Sequence, residues 1–169
     1  LYKLDEKITL GECLNYSINK MSGDYWAKMD DDDYYSTKYL VEAHYYLRKI
    51  NADLVGKKSV YLLDKNNNIM YLTNDKSNCF LNFVRGPTFF CHKNLFKIIK
   101  FRNKNNGEDT QFINDLLIQK KKIYASSKNN FIYIINKDIK QTCLMSINKF
   151  LNKNSLIING AGRKNNTRK

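Results

Sequence analysis

The sequence predicts an α/β fold. Three observations carry that expectation: short β-prone segments alternate with segments of helical period, 43% of the 169 residues are apolar, and no internal repeat interrupts the series. A chain of this length buries a substantial core, which excludes disorder for most of it. No apolar run approaches the roughly 18–20 residues needed to cross a bilayer. The opening LYKLDEKITLGE also lacks the basic-then-apolar order of a signal peptide. A soluble chain is therefore expected.

The elements follow in order. Leu10, Leu14, Ile18 and Met21 recur at spacings of four, four and three, one face of a helix that Ser22-Gly23 ends. Residues 24–29, DYWAKM, suit a buried strand, which stops at four consecutive aspartates, 30–33. Ser36 and Thr37 offer an N-cap to a second helix over KYLVEAHYYLRKI, with Leu40, Val41, Tyr45 and Leu47 as its apolar positions and a basic last turn. Residues 53–72 alternate and break at Asn66-Asn67-Asn68, the pattern of a hairpin with LVGKKSVYLLD against IMYLT. Polar residues 73–83 read as a loop. After the single proline, in Gly86-Pro87-Thr88, the run FFCHKNLFKIIKF predicts a short strand entering a helix. Asn106-Gly107 is a turn, and Phe112, Ile113, Leu116 and Leu117 mark the helix behind it, with an acidic start. Residues 123–125 and 131–135 are two short strands, 144–151 a last helix, and 159–169 a basic polar tail expected to be mobile.

The net charge of +13 raises nucleic acid as a partner. Composition argues against it. Of the 29 basic residues 24 are Lys and only 5 Arg, alongside 23 Asn and 16 Ile, so a drift toward A/T-rich codons accounts for the basicity. Arginine, the better reader of phosphates and bases, is scarce. No nucleic-acid partner is expected. Cys13, Cys79, Cys91 and Cys143 stand far apart with only His44 and His92 to complete a metal set, which argues against structural zinc and for reduced thiols in a cytoplasmic compartment. Trp26 and His92 read as packed aromatics, and Lys120, Lys121 and Lys122 as a solvated helix end.

Two acidic motifs can carry chemistry. Four adjacent carboxylates at a strand end repel one another unless a cation neutralises them, and all-oxygen ligands suit Mg²⁺ or Mn²⁺. An EF-hand is excluded, because Tyr34 and Tyr35 occupy positions where that loop needs an acidic residue and a glycine. A solvated acidic turn is the plainer alternative. In Gly107-Glu108-Asp109-Thr110 the carboxylates either complement the helix dipole or, beside a cleft, supply a general base.

The series LGECLNYSINKMSGDYWAKMDDDDYY, GPTFFCHKNLFKIIKF, NGEDTQFINDL and KKIYASSKNNFIYI resembles the latter part of a family 2 glycosyltransferase with the GT-A fold, over roughly residues 8–136. In that family a Leu-Gly-x-x-Leu-Asn helix precedes a strand ending in an acidic turn, matched by Gly11, Asn15, Asp30, Asp32 and Asp33. A Gly-Glu-Asp segment then opens a helix under the acceptor site, matched by Gly107, Glu108 and Asp109. The resemblance implies an incomplete GT-A sheet with flanking helices, spanning residues 1–158, the aspartate turn ending a central strand. Residues 1–72 would form the donor and metal side and 73–158 the acceptor side, with the nucleotide-binding half preceding Leu1. It further implies that Asp30 faces a nucleotide-sugar, that Asp32 with Asp30 holds a divalent ion, and that Asp33 supports them. Gly11 and Asn15 belong to the same donor-binding set. Asp109 would take the proton of the acceptor hydroxyl, with Glu108 orienting it or sharing the role, and the reaction would invert the anomeric centre.

The implied donor is a UDP-sugar and the implied acceptor a cell-surface glycan or a lipid-linked one, at the inner face of the membrane or in the cytoplasm. Gln141-Thr142-Cys143 stands where relatives carry His-Thr-Trp, which leaves a catalytically impaired relative as an alternative beside a basic module for nucleic acid or anionic surfaces.

Overall fold

The computed structural model describes residues 2–136 and 150–160, and over these the chain is mixed α/β with two mixed five-stranded sheets. The elements run α1 (Leu10–Lys20), β1 (Tyr25–Ala27), β2 (Tyr34–Tyr35), α2 (Tyr39–Ile50), β3 (Leu54–Gly56), β4 (Tyr61–Asp64), β5 (Ile69–Leu72), β6 (Cys79–Phe80), β7 (Phe90–His92), α3 (Glu108–Ile118), β8 (Ile123–Ala125), β9 (Phe131–Ile135) and β10 (Leu156–Gly160). The first sheet has the order β1-β7-β3-β8-β6 and the second β10-β5-β4-β9-β2. In each, one parallel pair, β3 with β8 and β4 with β9, sits among antiparallel neighbours.

Strict alternation shows why the first sheet is a middle layer. Leu54, Phe89, Cys91, Ile123 and Ala125 point to one face, where α1 contributes Leu14, Ile18 and Met21 and α3 contributes Phe112, Ile113 and Leu116. Val55, Phe90 and Tyr124, the intervening residues, meet Ala43 and Leu47 of α2 on the other face. A sheet covered on both faces is the packing expected of short, almost wholly apolar strands.

Three chain passes leave the first sheet and enter the second: β1 to β2, β3 to β4, and β8 to β9. The crossing segments are residues 28–33, 57–60 and 126–130. The second and third are locked by a buried lysine: Lys57 Nζ donates to Ser126 Oγ at 3.3 Å and to the Ser127 carbonyl at 2.7 Å, and pairs with Glu42 of α2 at 3.2 Å. The first carries the aspartates.

Several expectations change. α2 turns Tyr39, Ala43 and Leu47 inward, whereas Leu40, Val41 and Tyr45 are 46%, 71% and 51% exposed. Leu47 packs inward as expected, and the rest of the covered stripe is Ala43 against the first sheet and Tyr39 against Val60 and Phe131. The segment 53–72 is not one hairpin. β3 belongs to the first sheet, and only β4 and β5 pair as a hairpin in the second. The strand ahead of the aspartates is an edge strand, since β1 pairs with β7 alone among the described residues. After β7 the chain forms a 3₁₀ turn, Lys93–Lys97, rather than an α-helix. Each sheet takes strands from both sides of residue 72. β10, which sequence periodicity did not predict, pairs antiparallel with β5. Residues 144–149 of the expected last helix, Cys143, Gln141 and positions 161–169 of the tail lie outside the described residues. No helix among the described residues is long and apolar enough to cross a membrane.

Candidate active site

The aspartate turn is built by the crossing from β1 to β2. The Asp33 N–H donates to the Asp30 carbonyl at 3.4 Å, folding residues 30–33 back on themselves. One carboxylate oxygen from each of Asp30, Asp32 and Asp33 then lies within 4.8 Å of the others. Asp31 points to solvent. Asp33 accepts the Ile134 N–H on Oδ1 at 2.9 Å, while its Oδ2 is buried with no hydrogen-bond partner among the described residues. Burial, together with the charges of Asp32 and Asp30, pushes the Asp33 carboxyl up to about 7 against the pull of the Ile134 N–H. Asp30 is also raised, first by burial and then by Asp32, Asp109 and Asp31, with Lys28 opposing.

The second acidic motif opens α3. Gly107 takes φ +74°, a left-handed conformation that a side chain would strain, and starts the helix immediately after it. Glu108 is 4% exposed and raised chiefly by burial. Asp109 is half-buried, accepts the Thr110 N–H on Oδ1 at 2.8 Å, and lies over Gly86, where an added Cβ would come within 1.8 Å of Asp109 Oδ2.

The two motifs meet. Lys28 Nζ stands 3.8 Å from Asp30 Oδ1 and 3.5 Å from Glu108 Oε1, in a side chain only 9% exposed. Asp30 and Asp109 also act electrostatically on one another. The 3₁₀ turn Gly86–Thr88 completes the enclosure: the Tyr35 hydroxyl accepts the Asp30 N–H and donates to the Pro87 carbonyl. Burial raises that phenol far above its ordinary value, so it stays a donor.

Gly11 and Asn15 are placed differently from the aspartates. An added Cβ at Gly11 would lie 1.9 Å from the Arg102 carbonyl, and Asn15 exchanges two hydrogen bonds with the Phe101 backbone, at 2.8 and 3.0 Å. Both fasten α1 to the segment leading into Gly107. His92 packs edge-on against Tyr25 and accepts the Asn94 N–H, and Trp26 is core.

Sequence reasoning missed Lys28 and Tyr35 as members of this group. For Lys28 a signal existed: with Trp26 inward, period-2 parity turns Lys28 inward as well, and a lysine on a buried face requires a carboxylate partner.

The donor set fits a hard divalent ion. Three clustered carboxylates and an unpartnered buried Asp33 Oδ2 are what Mg²⁺ or Mn²⁺ would satisfy, although acidic turns of this kind also occur without any ion. Two shallow hollows of about 220 and 290 Å³ lie beside the end of α3, and none of these carboxylates lines them. No protein-family model matches the chain, and no curated protein matches it either.

Proposed function

We propose that this chain is a GT-A-type glycosyltransferase domain that moves a sugar from a nucleotide-sugar donor, a UDP-sugar, to a glycan or lipid-linked acceptor with inversion. The observation that carries the reading is the joint placement of two acidic motifs, far apart in sequence, around one buried lysine: Asp30 and Glu108 share Lys28 Nζ. Capping or solvation alone would not require that meeting.

On this reading Asp30, Asp32 and Asp33 hold a divalent ion, whose chemistry is to neutralise charge on the departing nucleoside diphosphate. The two acids of α3 divide the remaining work by exposure. Glu108 is buried and paired with Lys28, so it orients and does not exchange protons with an acceptor. Asp109 is only half-buried, its Oδ1 accepting the Thr110 N–H and its Oδ2 lying against Gly86. The acceptor oxygen bonds to the anomeric carbon as its proton passes to Asp109 Oδ2, and the bond from that carbon to the diphosphate oxygen breaks with its electron pair. A single displacement from the opposite side inverts the centre.

The test is thermal melting of the protein with UDP and Mn²⁺. Together they raise Tm for the wild type, by the mass-action stabilisation of a ligand that binds only the folded state. Asp32→Ala abolishes the rise. Polyanion binding that falls with salt and ignores Mn²⁺ would overturn the proposal in favour of a basic binding module.

A further inference from the structure

We infer that Lys28 is a positioning residue that couples cation occupancy at the aspartate turn to Glu108, by dividing one ammonium group between Asp30 and Glu108. The inference rests on the metal-assisted reading above and adds a residue that the sequence resemblance did not include.

The geometry leaves Lys28 few alternatives. Its backbone is pinned to the sheet, the N–H donating to the Phe89 carbonyl at 2.9 Å, and its side chain is too enclosed to turn to water. The ammonium lies within 4 Å of both carboxylates, slightly nearer Glu108 than Asp30. Among the described residues Lys28 is the one cation within ion-pair distance of both Asp30 and Glu108. A cation seated on Asp30 repels the ammonium and drives it onto Glu108. Conversely, a Glu108 that loses its charge releases the ammonium to Asp30, where it opposes the cation. The side chain that orients the base is thereby held most firmly when the donor side is loaded.

A double-mutant cycle on Mn²⁺ affinity, measured by calorimetry without any sugar donor, tests this. Lys28→Met tightens Mn²⁺ about tenfold, because a nearby positive charge is removed in a partly desolvated site. Glu108→Gln weakens Mn²⁺ several-fold when Lys28 is present and markedly less in the Lys28→Met background, where only its direct attraction for the cation is lost. Lys28→Arg, which keeps the charge, preserves the weakening by Glu108→Gln. If Glu108→Gln weakens Mn²⁺ equally in both backgrounds, the charges act independently and the inference is overturned while the metal site stands. Absence of Mn²⁺ binding to the wild type overturns both. Should Lys28→Met fail to fold, the side-chain NMR signal of Lys28 in the wild type decides instead: it moves on adding Mg²⁺ if the ammonium transfers, and an unmoved signal overturns the inference.

Discussion

The Tyr35 hydroxyl accepts the Asp30 backbone N–H at 2.9 Å and donates its O–H to the Pro87 carbonyl at 2.8 Å, so the aspartate turn and the proline turn are fastened through one phenol. Tyr35→Phe removes both bonds while keeping the ring that packs on Tyr39 and Phe131. The expected loss is about 1–3 kcal/mol in a urea melt, the usual cost of leaving enclosed backbone groups unpaired. Mn²⁺ binding weakens with it, because Asp30 is no longer held in register with Asp32 and Asp33. An unchanged melt would show that water replaces the hydroxyl without penalty.

Gly86 lies where Asp109 needs room. The backbone there tolerates alanine, but the new Cβ meets Asp109 Oδ2 at 1.8 Å and Cγ at 2.7 Å. The carboxylate is the end of a side chain and must swing aside, losing its bond to the Thr110 N–H, while Asp109 Cβ at 3.1 Å gives by a few tenths of an ångström. Gly86→Ala is thus expected to leave the melting temperature within a few degrees while slowing sugar transfer at least tenfold, the sensitivity of a reaction to a misplaced base. Equal turnover in the variant would remove Asp109 from the chemistry.

Asp109→Asn is nearly isosteric and retains the acceptor for the Thr110 N–H. Donor binding stays near the wild-type value and the chemical step falls by roughly 10²–10⁴-fold, the usual contribution of a general base. Single-turnover kinetics separate the two quantities. Glu108→Gln, by contrast, lowers stability, since it removes the nearer of the two carboxylates that pair with the buried Lys28.

Stability depends on pH through Asp33. Its carboxyl is raised to about 7 in the folded protein, above the ordinary value near 3.8 of the unfolded chain, so the folded state binds the proton more tightly. The stabilisation is complete below about pH 4 and is lost as pH rises through 7. Melting temperature without added metal should therefore decline across that window. Asp30 and Glu108, raised in the same direction, contribute to the same slope. Asp33→Asn flattens the profile, and Mn²⁺ restores stability to the wild type at pH 8. A profile that rises from pH 4 to 7 would contradict the burial of that charge.

Much of the secondary structure was legible because local rules decide it. The stripe Leu14, Ile18 and Met21 packs as its spacing requires, and Thr9 with Glu12 closes the capping box that starts α1. β8 and β9 fall where expected, at Ile123–Ala125 and Phe131–Ile135, and α3 follows Gly107. Local rules were weakest where neighbours choose. Whether α2 buries Leu40 and Val41 or Tyr39 and Ala43 depends on what faces it: Ala43 meets Val55, Phe90 and Tyr124, and Tyr39 meets Val60 and Phe131. Likewise, nothing within residues 53–72 records that β3 and β4 belong to different sheets.

The sequence by itself determined an alternating α/β chain, the two acidic motifs and the oxygen-rich chemistry they permit, because residue type and spacing act within a few residues of each other. Only the tertiary structure decided that the motifs meet, that Lys28 stands between them, and that Glu108 is buried while Asp109 is left half-open beside Gly86. Those outcomes follow from β1 lying on β7, which carries Lys28 to the Phe89 carbonyl, and from the turn at Gly86 passing under α3. Such contacts join residues distant in sequence, and their energy comes from burial and charge pairing that no local window contains.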